Sequence, residues 1–595
     1  MSCARNLEFV LSEVLDVNRL CQATRYREHD FENFRQALAT AERLASEQFA
    51  PHAAAADELE PERRDSRVWI LPEVGSALRA FADAGFLAMG FDAELGGMQM
   101  PWVIVQACYA HFQAANAGTF AYAMLTVAAA NLLAAFGTEA QKARYLRPML
   151  EGRFFGTMCL SERDVGSSVG DLKTRAEPQL DGSYRVIGSK MWISGGEHEL
   201  ADNIVHMVLA RISGATAGTA GLSLFLVPRF RLDENGTPGD PNDIVLLGIN
   251  HKMGYRATVN TLLSFGDHGQ CVGYLIGEPN QGLRQMFHMM NEARIAVGLG
   301  ATMLAHSAYE HALSYAQGRR QGRLPDNKDP RTPAVPIIQH ADVKRLLLAQ
   351  KASVEGSLLL SLYCALLVDR IRSCPDDEGH DERLLLELLT PIAKSWPSEF
   401  CLDANKQAIQ VLGGYGYSRE YPVERLYRDN RLNAIHEGTH GIHGIDLLHR
   451  KVAMDEGRAF SLLMARVHET VEAASRLKEL QEFSVQLNAA KRRTEEVTKI
   501  LQHCATQGRR NLALANATLY LDMLGHLVIA WMWLWQACVA VRALQFPANP
   551  ERAFYLGKLQ ACRYFYIYEL PKCRVQADLL TRLDRTCLSM PIEAF

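Results

Sequence analysis

The chain has 595 residues and a mass of 66.3 kDa, well beyond one domain of ~150 residues, so several domains are expected. With 48% apolar and 22% charged residues, the composition excludes a disordered, collagen-like or small disulfide-stapled chain. A net charge of −4, from 63 basic and 67 acidic residues, excludes the strong positive field of a nucleic-acid-binding protein.

The 13 cysteines are scattered from Cys3 to Cys587 without a CxxC pair, which points to reduced thiols and a cytoplasmic setting. Glu8, Glu13 and Asp16 interrupt the N-terminal region, which reads neither as a signal peptide nor as a transit peptide.

Residues 1–34 form an N-terminal extension. Residues 35–155 read as a helical domain, with Ala37, Leu38, Ala41 and Leu44 at helical spacing. Residues 156–280 change character. Short β-prone runs at 184–187, 203–209, 222–227 and 261–265 are separated by Gly, Asp and Pro, as in an antiparallel sheet. Helical periodicity returns over 281–454, through Leu283, Met286, Val343, Leu346 and Leu347, broken by a loop at Pro325, Pro330, Pro333 and Pro336. Residues 455–595 form an additional helical domain, with Leu463, Met464, Val467, Val471 and Ala474 on one face and a mild basic excess that suits a solvated surface. Within it, Thr518 to Val541 is the most apolar stretch, but Asp522, Gly525, His526 and Gln536 interrupt it. Its longest apolar run, Leu527 to Trp535, falls short of the ~20 residues of a membrane span. It reads as a buried or interfacial helix, so membrane contact is at most peripheral. The fold class is α+β.

Three segments carry candidate chemistry. The first is Met158-Cys159-Leu160-Ser161-Glu162 with Gly166-Ser167, followed by Trp192-Ile193-Ser194-Gly195-Gly196. The second is Gln410-Val411-Leu412-Gly413-Gly414-Tyr415-Gly416, continuing to Tyr421-Pro422-Val423-Glu424. The third is Ile435-His436-Glu437-Gly438-Thr439-His440. Each alone is open to a plainer reading: glycines and hydroxyls at strand ends form ordinary turns, and a strand tryptophan is ordinarily core. The third segment is also literally HExxH, the zinc-hydrolase pattern. That pattern needs one continuous helix, and Gly438 interrupts it.

Taken together and in this order, the segments resemble the acyl-CoA dehydrogenase family over residues 35 to 450. The added ends resemble its larger bacterial subgroup, which includes fatty acyl-CoA and 3-methylmercaptopropionyl-CoA dehydrogenases. The resemblance implies a helical N-terminal domain, a central antiparallel β domain and a C-terminal helical bundle. It also implies FAD bound without a Rossmann fingerprint, and no GxGxxG opens a βαβ unit here.

By family position, Leu160, Ser161 and Ser194 line the flavin ring, Trp192 packs against it, and Gly166 and Ser167 approach the pyrophosphate. Thr439 belongs to the same cofactor set. Arg319, Gln321, Gln410, Gly413 and Gly414 match residues that reach the FAD of a neighbouring subunit, which implies a homo-oligomer, dimer or tetramer. Glu437 is the implied base for an acyl-CoA α proton, with its own N–H and a ribityl hydroxyl as donors to the thioester oxygen. Asn291, Arg294, Ser167 and Gly438 are implied substrate contacts, and Glu292 is a reserve base. The implied reaction is α,β-dehydrogenation of an acyl-CoA, of medium or long chain, to trans-2-enoyl-CoA in fatty acid β-oxidation. An electron-transfer flavoprotein is the expected acceptor.

The sequence departs from the family pattern at three places: His436 stands where Tyr is usual, Gly441 where Gln is common, and Arg163-Asp164 where a Pro-Gly-like pair is usual. Competing readings are a 3-methylmercaptopropionyl-CoA dehydrogenase, an acyl-CoA oxidase, a DNA-damage-linked flavoprotein of the same fold, and the zinc hydrolase. His440, His443 and His449 are expected at the surface or at a subunit contact.

Overall fold

Helix, sheet and helix follow one another along the chain. The computed structural model describes residues 3–65, 67–327, 329–374, 378–546 and 548–595, the side chains of 288–290 excepted. The elements used below are α1 (Cys3–Glu8), α2 (Phe31–Leu44), α3 (Pro72–Asp83), α4 (Trp102–Phe136), β1 (Phe154–Cys159), β2 (Arg175–Pro178), β3 (Tyr184–Ser194), β4 (Asn203–Ile212), β5 (Leu222–Pro228), β6 (Ile244–Ile249), β7 (Asn260–Phe265) and β8 (Val272–Ile276). There follow α5 (Gly282–Gly318), α6 (Ala341–Ser373), α7 (His380–Leu412), α8 (Val423–Arg431), α9 (His440–His449), α10 (Arg458–Ser475), α11 (Gln481–Thr506), α12 (Ala517–Leu544), α13 (Arg552–Tyr564) and α14 (Lys572–Thr581). Two units result, one of residues 32–293 and one of residues 3–31 with 294–595.

In the 32–293 unit the main sheet has the order β6-β7-β3-β8-β5-β4-β1, with β2 pairing to both β3 and β4. The expected antiparallel pattern holds except at β4, which runs parallel to β1 (Phe154↔Asn203 to Cys159↔Val208) and to β2. Parallel neighbours need a long crossover, and residues 160–202 supply it, carrying the Ser161–Gly170 loop and β3 on the way. β4 is buried over its first eight residues, which explains its unbroken apolar run. Ala129, Leu132 and Leu133 of α4 pack on Phe154, Val205, Met207, Leu224 and Leu226 of the sheet. An aromatic cluster of Phe81, Phe86, Tyr109, Phe112 and Phe120 joins α3 to α4.

In the other unit α12 is a core helix rather than a surface one. Trp533 donates its indole N–H to the Ala352 carbonyl of α6 at 2.8 Å, beside Gly356. Tyr363 meets Trp531 and Trp535 edge-on, each at 5.6 Å. Among the described residues three helices, α4, α6 and α12, are long and apolar enough to cross a membrane by length and composition, and 56%, 94% and 72% of their apolar windows are buried within the fold.

The N-terminal extension belongs to this second unit. Lys558 of α13 donates to Asn6 Oδ1 at 2.5 Å and to Glu355 of α6 at 2.8 Å, Arg5 pairs with Glu551 at 2.6 Å, and Tyr26 donates to Asp369 at 2.7 Å.

Candidate active site

Glu437 sits on a strained turn between α8 and α9. Its φ is +54°, and Gly438 follows at +95°. Left-handed backbone at a non-glycine residue costs about 1–3 kcal/mol and persists only where neighbours over-determine it. A chain of amides fixes the entry to this turn. Asn405 donates to the Leu304 carbonyl at 3.1 Å, Asn430 to Asn405 at 2.6 Å, and Asn433 to Asn430 at 3.0 Å. His436 then donates from Nε2 to Asn433 Oδ1 at 3.1 Å. Burial, with Lys394 nearby, pushes the His436 imidazole down to about 3, so it is neutral. The exit is fixed by Thr439, the N-cap of α9, which accepts from Ile442 N–H at 3.3 Å.

Two cations from two helices share this site. Gly298 of α5 lies so close to α7 that a Cβ there would come within 1.9 Å of the Ala393 carbonyl oxygen. That approach places Arg294, one turn earlier on α5, and Lys394, next to Ala393 on α7, on the same side. Both are buried. Lys394 Nζ donates to the Gly438 carbonyl at 2.6 Å, and His443 Nε2 lies 3.0 Å from the Glu437 carbonyl. Burial pushes the Glu437 carboxyl above the usual carboxylate range, against the pull of Arg294 and Lys394. Burial also pushes the Lys394 ammonium down to about 7, against Glu437, with Arg294 adding to the fall. The Arg294 guanidinium is lowered by burial too, against Asp446 and Glu437. The result is a weakly acidic carboxyl, hence a better base than a solvated one, at a place where opposite charge is available.

The HExxH pattern does not form a metal-binding face. α9 begins at His440, so His436 lies outside it, and His440 Nε2 is bound to Asp522 of α12 at 3.0 Å.

The candidates from the sheet cluster at the end of β3. Trp192 has φ +65° and exposes 58% of its surface. Ser194 Oγ accepts from Asn260 at 3.1 Å, and the Ser161 carbonyl accepts from Met191 N–H at 3.0 Å. Gly166 and Ser167 are exposed, with open space where a Gly166 Cβ would point. Leu160 is partly buried against the core. The loop holding them is locked from below by Glu162. Its carboxylate accepts from Lys173 N–H (2.7 Å), Thr174 N–H (2.9 Å) and Thr174 Oγ1 (2.6 Å), and pairs with the buried Lys190 (3.1 Å). On α5, Asn291 is partly buried, and the reserve base Glu292 accepts from Asn131 at 3.4 Å.

Arg319 and Gln321 lie on an exposed loop together with the glycine segment. The Arg319 guanidinium sits 6.0 Å over the Tyr415 ring and donates to Gln321 Oε1 at 3.4 Å. Gln410, Gly413 and Gly414 are exposed, and neither glycine has an atom within 4 Å of where a Cβ would stand.

Two residues escaped the sequence reading. His443, expected at the surface or a subunit contact, is fully buried beneath Glu437, because α9 turns that face toward the helical core. Lys394 was not singled out, although a lone lysine inside the run Leu388-Leu389-Thr390-Pro391-Ile392-Ala393-Lys394-Ser395-Trp396 is a signal that a buried charge has work to do.

Comparison with known proteins matches this arrangement in four pieces. Residues 32–153, 157–267 and 280–452 match the N-terminal, middle and C-terminal domains of acyl-CoA dehydrogenase, and 463–591 match the family described as acetyl-CoA dehydrogenase C-terminal like. The broad-specificity linear acyl-CoA dehydrogenase FadE5 of Mycobacterium tuberculosis is 33% identical, covering 100% of this chain and 99% of its own. The 3-methylmercaptopropionyl-CoA dehydrogenase of Ruegeria pomeroyi is also 33% identical, covering 97% of each. Among solved structures, an acyl-CoA dehydrogenase from Bacillus anthracis complexed with FAD superimposes with a TM-score of 0.73 at 21% identity, over 96% of this chain and 91% of its own. With relatives aligned from end to end and the Glu437 turn inside the matched C-terminal domain, this chain belongs to the acyl-CoA dehydrogenase family.

Proposed function

We propose that the chain catalyses FAD-dependent α,β-dehydrogenation of an acyl-CoA thioester to the trans-2-enoyl-CoA, with Glu437 as the base. The observation that carries this reading is the Glu437 carboxyl, raised above its usual range by burial and flanked by Arg294 and Lys394. The α proton of a thioester is weakly acidic, so its removal needs a desolvated carboxylate within ~3 Å. The proton passes to Glu437 Oε and the C–H pair enters the new double bond as hydride leaves the β carbon. Negative charge developing on the thioester oxygen needs a donor. Among the described residues the Glu437 N–H makes no hydrogen bond to the protein, which suits it to that task. Arg294, buried on α5, balances the charge of the carboxylate.

The residues present fit FAD. A tryptophan is ordinarily well buried, and the exposed Trp192 indole beside Ser194 and Ser161 offers a flat face and polar groups to a ring system. Leu160, Gly166 and Ser167 complete the set in the 32–293 unit that would hold the cofactor, and Thr439 keeps the cofactor role that the family pattern implies. Arg319, Gln321, Gln410, Gly413 and Gly414 would serve the FAD of a second subunit. When bound, FAD supplies the hydride acceptor. We assign electron-transfer flavoprotein as the onward acceptor, a homo-oligomer as the working state, and a linear acyl-CoA of medium or long chain as the substrate. The equal identity to a 3-methylmercaptopropionyl-CoA dehydrogenase favours that methylthio thioester as the second reading.

The test is Glu437→Gln in the FAD-loaded protein. It should stay yellow and lose bleaching by acyl-CoA; bleaching at the wild-type rate places the base elsewhere. A ladder of acyl-CoAs with the methylthio analogue ranks the substrates, and slow reoxidation in air separates a dehydrogenase from an oxidase.

A further inference from the structure

The turn that carries Glu437 exposes its peptide carbonyls inward, and each is met by one buried side chain from a different helix. Lys394 of α7 reaches the Gly438 carbonyl at 2.6 Å, and His443 of α9 reaches the Glu437 carbonyl at 3.0 Å. Neither side chain is exposed at all. Burying an ammonium is costly unless it gains strong partners, so its placement against a single peptide calls for an explanation.

The geometry of the histidine is equally specific. Its Nδ1 is buried without a hydrogen-bond partner, so a neutral ring carries its proton on Nε2 and donates it to the Glu437 carbonyl. Burial, with Lys394 and Arg294 nearby, holds the ring neutral. Gly438 makes room for it, since a Cβ at 438 would come within 2.7 Å of Nε2. The turn itself has two successive residues in left-handed backbone, a conformation that relaxes unless it is held.

We propose that Lys394 and His443 are positioning residues, a two-donor clamp on the 437 and 438 carbonyls that holds the strained turn and thereby aims the Glu437 carboxylate. This rests on the reading of Glu437 as the base. Releasing either donor lets the turn rotate toward ordinary backbone and moves the carboxylate. A displacement of about 1 Å costs on the order of 100-fold in rate, while groups that bind the rest of an acyl-CoA stay in place.

The test compares Lys394→Met, Lys394→Gln, His443→Leu and His443→Gln in the full-length, FAD-loaded protein, with bleaching by acyl-CoA as the readout. Met and Leu remove the donor, whereas Gln keeps an N–H donor, at the reach of the histidine Nε2 and one bond short of the lysine Nζ. The clamp predicts that Met and Leu lower the limiting bleaching rate by about 100-fold with KM within a few-fold, and that Gln recovers most of the loss. Unchanged rates in Lys394→Met and His443→Leu overturn it. So does a loss that Gln does not recover while FAD content and melting temperature stay at wild-type values. If Met or Leu fails to fold, the Gln pair decides: near-wild-type rates support the clamp, and large losses in folded protein overturn it. Failure of the base assignment is separately visible, because Glu437→Gln would then bleach normally whatever the clamp variants do.

Discussion

Gly525 and Trp396 touch so closely that a Cβ on the glycine would come within 2.4 Å of the indole Cδ1. The contact joins α12, in the additional C-terminal helices, to α7 two residues beyond Lys394. Trp396 also donates to His526 Nδ1 at 3.3 Å and stacks on Phe400 at 4.6 Å. The added helices therefore brace the helix that carries the buried lysine. Gly525→Val should overpack this contact and destabilise the protein by roughly 1–3 kcal/mol, read as a lower midpoint in denaturant. A midpoint at the wild-type value would show that the contact has slack.

Glu355 is the hub of a second buried cluster. Burial alone would raise its carboxyl, but Lys351 and Lys558 outweigh that and hold it at about 2. Lys558 also ties in Asn6 and Gln536. Lys558→Met leaves the carboxylate with one cation and should cost about 3–5 kcal/mol, as for a broken buried pair. The sign with pH follows from linkage. A carboxyl depressed in the folded state stabilises fully above its ordinary value of 4.5, and the contribution is lost as pH falls toward 2. Weakening the hold in Lys558→Met should move acid unfolding to higher pH, followed by tryptophan fluorescence.

The strands were legible because their signals are local. The runs at 184–187, 203–209, 222–227 and 261–265 all lie within β3, β4, β5 and β7. The parallel partnership of β1 and β4 was not, since register between residues some fifty apart leaves no local trace. Within the site, Glu437 was found through its motif. Lys394 stands 43 positions earlier on another helix, and the packing of α7 against α8 and α9 brings it to the turn. His443 was misread because a ten-residue helix with histidines at 440, 443 and 449 looks polar, while tertiary packing decides which of them is covered.

Trp192 tests the cofactor site without disturbing the fold. Its indole is 58% exposed, so truncation removes little core packing. Trp192→Ala should leave stability within about 0.5 kcal/mol of wild type and weaken FAD uptake by roughly tenfold, the loss of one stacking contact of about 1.4 kcal/mol. Titration of the FAD-free protein with FAD, followed by flavin fluorescence, reads this directly. Uptake at wild-type affinity would assign the exposed indole to another surface.

The pH dependence of bleaching provides the last check on the site. A base works only when ionised, so the limiting rate should rise with pH through the ionisation of Glu437, with a midpoint above the ordinary carboxylate value of 4.5. The charges acting on Glu437 are Arg294 from α5 and Lys394 from α7; His443 from α9 meets its carbonyl, His436 precedes it in the turn, and Asp446 from α9 acts on Arg294. Both histidines are held neutral by burial, so neither contributes a limb near neutrality. Lys394 is different, because below about 7 it is charged and favours the ionised carboxylate. Lys394→Gln keeps the donor to Gly438 and removes the charge, so its acid limb should move to higher pH while the plateau rate stays near wild type. Stopped-flow bleaching at saturating acyl-CoA over about pH 5 to 9 reads both quantities. An acid limb at the wild-type position in that variant would mean that the ammonium does not act on the Glu437 carboxylate.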